Sequence, residues 1–202
     1  QVDPTGDIRS TYHHASGEVV TSGPWEESAI DGEHVPFGER VWAVQSHAGR
    51  LYYGVWIEND QQSNPTSNNQ VWSVEFDEEG IPLPGTAQLE LEVPDPNGSS
   101  DFPSNPVSDI SFAATGWMLV AQRSMQDADQ SSAHRSWTYE YRFEDGAWQP
   151  EGMTYVVGEL PGSAAGGVDH DFEPGGYVWM TGDALDFYTP DLVYGLQGTP
   201  HG

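Results

Sequence analysis

Three aspartates are the residues whose type and spacing best suit chemistry at a metal ion. Asp109 and Asp169 occupy equivalent positions in two copies of a repeated hairpin, and Asp171 lies two residues after Asp169. Because residues two apart on a strand share a face, Asp169 and Asp171 are expected to point the same way. Carboxylate oxygens are ligands for a hard cation such as Ca²⁺. The alternative is structural, since a strand aspartate can cross-link its neighbours by accepting their backbone N–H groups.

A second group of candidate residues lies in the long polar connections between predicted strands. Asp95, Asn97 and Asp101 offer oxygen ligands at short spacing, although their loop lacks the terminal glutamate of an EF-hand. Loops on a rigid scaffold commonly carry recognition residues. The residues predicted to form a binding face are Trp25, Phe37, Asp95, Asn97, Asp101, Phe102 and Tyr188. The aromatic members of this set could equally pin their loops to the core.

Motifs for nucleophilic catalysis do not occur in the sequence. Residues 162–166 read Gly-Ser-Ala-Ala-Gly, which places the serine one position too early for a Gly-x-Ser-x-Gly elbow. There is no His-Glu-x-x-His motif, and the lack of cysteine excludes a thiol nucleophile, a thiolate metal site and a disulfide. Whether the protein is an enzyme stays open at this point, and a non-catalytic role is favoured.

The elements that must position these residues are copies of a hairpin with a glycine at its turn. Residues 107–123 read VSDISFAATGWMLVAQR, which are two strands joined by a turn at Gly116. Aligned on that glycine, residues 40–55 and 167–182 repeat the pattern, with Gly49 and Gly176 at the turn. A hairpin that recurs at long, roughly even intervals is typical of β-propeller blades.

The pattern predicts an all-β fold, a β-propeller of four-stranded antiparallel blades that forms an incomplete ring. Residues 1–202 make one segment, with a partial blade at 1–23, blades at 40–94 and 107–157, and a partial blade at 167–202. The longest connections should all emerge on one face. Because propellers close with about four to eight blades, three readings stay open. The chain is part of a longer polypeptide, or it assembles with other chains, or it is a β-sandwich.

The charge balance excludes two classes of partner. The chain has 32 acidic and 6 basic residues, none of them lysine, and a net charge of -26. Nucleic acid and anionic membrane surfaces both require a basic footprint, and no apolar run is long enough for membrane insertion. A surface of this kind remains soluble when salt screens its repulsion, so we expect a salt-adapted organism, with an ordinary acidic secreted protein as the alternative. The start at Gln1 suits a mature secreted chain and equally a fragment, and the predicted location is extracellular or at the cell surface.

The hairpins VSDISFAATGWMLVAQR and GGVDHDFEPGGYVWMTGD resemble the inner hairpins of bacterial secreted propellers of the NHL-repeat and SMP-30/gluconolactonase-like groups. SMP-30-like enzymes hold a divalent cation in the central channel with Glu, Asn and Asp ligands. The resemblance would give that role to Asp109 and Asp169, and no Glu or Asn ligand can be matched. NHL-like propellers are mostly interaction scaffolds, and this chain is more similar to them.

The sequence therefore predicts a non-catalytic extracellular binding or assembly module that recognises its partners through the long loops on one face. Those partners are other protein chains, in a homo- or hetero-oligomer, or the remainder of the propeller. One alternative is a lactonase-like hydrolase that depends on Ca²⁺ held by Asp109, Asp169 and Asp171. Another is a structural subunit of a filament or surface assembly, driven by pairing of exposed strand edges.

Overall fold

The computed structural model describes residues 2–21, 23, 35–57, 68–94, 104–126, 130–132, 134–159, 162–171, 173, 175–186 and 193–201. Within these ranges the chain forms thirteen β-strands in four sheets, and it contains no helix. The predicted all-β class is therefore confirmed. No helix in the described ranges is long and apolar enough to cross a membrane.

Each sheet is an antiparallel meander whose strands pair in chain order, and this order reflects direct hairpin links between neighbours. The first sheet consists of β1 (Thr11–His13) and β2 (Glu18–Val20). The second sheet consists of β3 (Arg40–His47), β4 (Arg50–Trp56), β5 (Asn69–Glu75) and β6 (Gln88–Val93). The third sheet consists of β7 (Val107–Phe112), β8 (Met118–Gln122), β9 (Thr138–Glu144) and β10 (Ala147–Tyr155). The fourth sheet consists of β11 (Ala164–His170), β12 (Tyr177–Asp186) and β13 (Val193–Pro200).

The three predicted hairpins open the second, third and fourth sheets as β3–β4, β7–β8 and β11–β12. Gly49 and Gly116 have φ angles of 79° and 85°, a left-handed conformation that glycine adopts without a steric penalty. The third copy differs from the prediction, because the left-handed residue is Gly175 at 71° and not Gly176. Gly176 is instead closely packed, since a Cβ atom there would lie 2.8 Å from the Cβ of Asp171.

Strands of the fourth sheet extend beyond their predicted limits. The predicted hairpin covers residues 167–182, whereas β11 already begins at Ala164 and β12 continues to Asp186. Asp183 can lie within β12 because its buried carboxylate has a hydrogen-bond partner inside the structure. Buried Asp183 accepts a hydrogen bond from the guanidinium of Arg123 at 3.0 Å.

The sheets pack face to face in chain order, and side chains alternate along each strand between two cores. On β8, Met118 and Val120 pack toward the second sheet, whereas Leu119 and Ala121 pack toward the fourth sheet. A further cluster lies between the first and second sheets, where Tyr12 packs against a core that includes Tyr53 and Val55 on β4. The second and third sheets therefore each carry buried apolar side chains on both faces.

The first strands of the three larger sheets are neighbours in space. β7 lies between β3 and β11 and contacts both of them. The three hairpins thus belong to separate sheets and are not joined side by side into one continuous sheet. The described residues do not form a closed ring. This arrangement brings the residues of the repeated hairpins together on one side of the molecule.

Candidate functional site

An open cleft of about 480 Å³ lies where β3, β7 and β11 meet. Its walls combine polar side chains from the first strands with apolar side chains from β3, β12 and β13. The principal polar side chains are those of Asp109, Ser111 and Asp169, and the exposed apolar ones are those of Val44, Trp179 and Leu196. The cleft therefore contains two of the three aspartates that the sequence suggested as metal ligands.

Both cleft aspartates accept hydrogen bonds that tie β7 to β11. Asp109 Oδ2 accepts from the backbone N–H of Val168 at 2.9 Å, and its Oδ1 accepts from the N–H of Ile110 at 2.9 Å. Asp169 Oδ1 accepts from the Ser111 hydroxyl at 2.8 Å. These contacts match the structural alternative for a strand aspartate, because one oxygen of each carboxylate already links the two strands.

The environment of Asp109 raises the pKa of its carboxyl group. Partial burial is the largest cause, and the negative charge of Asp169 acts in the same direction. The backbone N–H groups of Val168 and Ile110 oppose this change because they stabilise the carboxylate. These two hydrogen bonds thus offset only part of the rise in the pKa of Asp109.

Asp171 does not join the other two aspartates in the cleft. Its Oδ1 accepts a hydrogen bond from the backbone N–H of Glu173 at 3.0 Å, in the turn between β11 and β12. It is not among the residues that line the cleft. The side chain stabilises its own turn, as aspartates at loop positions commonly do.

Phe37 is the member of the predicted binding face that the structure describes. Its ring packs edge-on against Trp56 with a centroid distance of 5.1 Å, and the guanidinium of Arg40 lies 4.1 Å from the ring centroid. These contacts hold the residues before β3 against the second sheet. The other predicted members of this face lie outside the described residues: Trp25, Asp95, Asn97, Asp101, Phe102 and Tyr188.

A second polar centre, which the sequence reasoning missed, lies between the third and fourth sheets. It consists of Glu140 on β9, His170 at the end of β11 and His201 directly after β13, and we refer to it as the histidine–glutamate cluster. Glu140 Oε1 lies 2.8 Å from His201 Nε2 and 3.6 Å from His170 Nε2. One ligand atom from each residue lies within 4.8 Å of the other two, so the three residues could hold a metal ion.

In the histidine–glutamate cluster, burial and the neighbouring histidines shift the pKa of Glu140 in opposite directions. The side chains of Glu140 and His170 are each 1% exposed, and that of His201 is 21% exposed. Burial by itself would raise the pKa of Glu140, but the adjacent His170 and His201 side chains outweigh it and hold the pKa below its ordinary value. Burial and the Glu140 charge raise the pKa of Tyr155, whose hydroxyl donates to Glu140 Oε2 at 3.3 Å.

Part of this cluster was foreseeable from the sequence. Strand alternation predicts that His170 faces away from Asp169, toward the packing between sheets, and its burial confirms this. Glu140 is one of the polar residues that alternate with aromatics along β9, and it is buried because a core packs against each side of the third sheet. His201 is remote in sequence from both residues, so no local motif could have grouped the three.

The fold is all-β and consists of four antiparallel meander sheets that pack one after another. No protein-family model, curated protein or solved structure shows a significant match to the chain. The resemblance of the hairpins to NHL-repeat and SMP-30/gluconolactonase-like propellers stays a prediction.

Proposed function

We propose that the chain is a segment of a β-propeller that acts as a binding and assembly module and not as an enzyme. In-order four-stranded meanders are the typical form of a propeller blade. The packing of successive sheets through alternate faces, with the first strands of the larger sheets side by side, supports the same reading. The open cleft would then be part of the central channel of the propeller.

The exposed apolar side chains on one face of the fourth sheet are the observation that carries the proposal. Toward the third sheet, β12 buries Val178 and Met180. The opposite face exposes Tyr177 by 44%, Trp179 by 43% and Leu196 by 68%. Large apolar side chains grouped on an exposed surface are typical of an interaction site. In the series of sheets, this face is the position where the next blade would pack.

The occupant that we propose for this face is a sheet of a second copy of the chain. Each pair of consecutive sheets in the chain already packs face to face. The faces of these sheets are therefore suited to packing against one another, also between two copies. Contact between the open face of one copy and a different sheet of the next is head-to-tail, which leads to a ring or a filament. The net charge of -26 on each copy opposes association until salt screens it.

Sedimentation velocity of the 202-residue chain at increasing salt concentration tests the proposal. We expect oligomers that grow with salt and with protein concentration. Trp179→Ser should weaken association by roughly tenfold or more, because central interface tryptophans contribute strongly to binding. Phe143→Ser removes an exposed aromatic from the third sheet and serves as the matched control. A chain that stays monomeric at every salt concentration would contradict the proposal, and so would equal effects of the two substitutions.

Calcium binding in the cleft stays a prediction, as does the lactonase-like hydrolase that would depend on it. Calorimetric titration with Ca²⁺ tests both, with Asp169→Asn as the comparison. Saturable binding that this substitution removes would support a calcium site, and its absence in the unmodified chain would reject the hydrolase. The extracellular location, the salt-adapted source and recognition through the long loops also stay predictions.

A further inference from the structure

The histidine–glutamate cluster lies outside the surface that the proposed function uses. We propose that Glu140, His170 and His201 bind a divalent transition-metal ion, with Zn²⁺ as the ion that best suits their donor atoms. Two imidazoles and one carboxylate are typical Zn²⁺ ligands. Ca²⁺ instead takes about six to eight oxygen ligands, so this set does not suit it. The site therefore differs in place and in chemistry from the calcium site predicted for the cleft.

The distances within the cluster suit a tetrahedral ion. Oxygen and nitrogen ligands at about 2.0–2.1 Å from a tetrahedral Zn²⁺ lie about 3.3 Å apart. The separations of 2.8 Å and 3.6 Å from Glu140 Oε1 to the two histidine Nε2 atoms lie on either side of that value. Because all three ligand atoms are within 4.8 Å of one another, small side-chain rotations would complete the geometry. The fourth position is left for water.

The absence of hydrogen bonds at the buried imidazole of His170, within the described part of the chain, is a second observation. Its side chain is 1% exposed, and neither ring nitrogen has a hydrogen-bond partner among the described residues. Buried polar side-chain atoms are nearly always hydrogen-bonded, and an exception calls for an explanation such as a bound ion. A metal ion at Nε2 would satisfy the nitrogen that points toward Glu140.

Surrounding residues orient the ligands for this role. The Tyr155 hydroxyl donates to Glu140 Oε2, while Oε1 faces the two histidines and contacts His201 Nε2 at 2.8 Å. The ring of Trp117 packs edge-on against that of His201 with a centroid distance of 5.1 Å, and the backbone N–H of His201 donates to Gly176 O at 2.9 Å. Outer contacts of this kind fix ligand orientation in metal sites. The partial exposure of His201 gives an ion a route from solvent.

An ion at this position would join two sheets. Glu140 belongs to the third sheet, whereas His170 and His201 belong to the fourth sheet and the residue that follows it. These three residues are brought together only by the packing of the two sheets, so the unfolded chain does not present the site. Binding to the folded state alone stabilises it by mass action, and the melting temperature should rise with metal concentration.

Zn²⁺ titration of the untagged, chelator-treated 202-residue chain tests the proposal. High salt and excess Mg²⁺ would suppress binding to the many surface carboxylates. We expect saturable binding of a single ion per chain, together with a higher melting temperature. His170→Ala and Glu140→Gln should each weaken binding by more than about 100-fold, whereas Tyr155→Phe should weaken it by about tenfold. His13→Ala removes an exposed histidine on β1 and should change neither measurement.

Co²⁺ spectroscopy keeps the proposal testable if the ligand variants do not fold. Tetrahedral Co²⁺ gives intense visible absorption, whereas octahedral Co²⁺ bound by surface carboxylates and water gives weak bands. Intense bands in the unmodified chain, displaced by Zn²⁺, would support the site. Weak bands or no bands would overturn it, and so would Zn²⁺ binding that survives His170→Ala or disappears in His13→Ala.

Discussion

The open cleft and the histidine–glutamate cluster both place carboxylates between elements of neighbouring sheets. In the cleft, Asp109 and Asp169 accept hydrogen bonds across β7 and β11. In the cluster, Glu140 lies beside two imidazoles, and that of His170 has no hydrogen-bond partner among the described residues. The half-buried Asp109 has a raised pKa, whereas the pKa of the fully buried Glu140 is lowered. Burial alone therefore does not set the direction of the pKa shift of these groups.

The comparison separates two uses of an acidic side chain. Carboxylates whose oxygens already accept backbone and hydroxyl hydrogen bonds hold strands together, and binding a cation would compete with those bonds. Glu140 also accepts hydrogen bonds, but its Oε1 lies beside two imidazoles, so that one ligand atom from each of three residues lies within 4.8 Å of the other two. The cleft aspartates, which were easiest to find in the sequence, make contacts of the first kind, whereas the metal site that we propose is of the second kind.

The largest expected effect comes from removing the carboxylate of the cluster. Glu140→Ala should lower the free energy of unfolding by about 3–5 kcal/mol in the presence of a chelator, because it leaves buried polar partners uncompensated. Denaturant titration measures this loss. Glu92→Ala, at an exposed position on β6, is the control and should stay within about 0.5 kcal/mol. Equal losses in the two variants would remove the distinction between the buried histidine–glutamate cluster and exposed surface acids.

The next largest loss of stability is expected from a substitution at Gly166, where β7 and β11 pack closely beside the cleft. Gly166 has a φ angle of 98°, and a Cβ atom there would lie 2.7 Å from the Ser108 hydroxyl oxygen. Gly166→Ala should lower the free energy of unfolding by about 1–3 kcal/mol through backbone strain and this clash. Gly85→Ala is the control, because Gly85 has a φ angle of 77° with nothing within 4 Å. A loss no greater than that of Gly85→Ala would show that the close approach has no cost.

Removing the hydrogen bond between Ser111 and Asp169 tests whether the cleft aspartates stabilise the fold. Ser111→Ala removes the donor to Asp169 and should lower the free energy of unfolding by about 1 kcal/mol. Ser46→Ala, at an exposed position on β3, is the control and should change stability little. A stability gain in added Ca²⁺ that appears only after Ser111→Ala would show that the bond and a cation compete for Asp169.

The smallest expected effect concerns pH at β3, which forms one side of the cleft. The ring of His47 stacks on Phe112 with a centroid distance of 4.1 Å, and burial lowers the pKa of His47 below its ordinary value of 6.5. As the pH falls, the unfolded state therefore binds this proton at a higher pH than the folded state does. The contribution of His47 to folding stability is full above the ordinary pKa and decreases as the pH drops below it. Thermal melts from neutral pH to about pH 5 should show a shallower fall in His47→Gln than in His13→Gln. Parallel curves for the two variants would contradict this.

Local patterns predicted the elements that depend only on neighbouring residues. The hairpin with Gly116 at its turn has the predicted strands because alternation and a left-handed glycine are local properties. Asp109 and Asp169 share a cleft, as their equivalent positions in the repeat indicated. The extension of β12 to Asp186 was not predictable, since Asp183 is buried against Arg123, which is distant in sequence.

By itself, the sequence determined the all-β class, the order of the hairpins and the acidic surface, because turn chemistry, strand alternation and charge act at short range. Only the tertiary structure decided which polar groups meet. Glu140, His170 and His201 come from two sheets, and the packing of those sheets brings them together. Whether a carboxylate links strands or faces an imidazole depends on distances and desolvation, which are properties of the packed sheets.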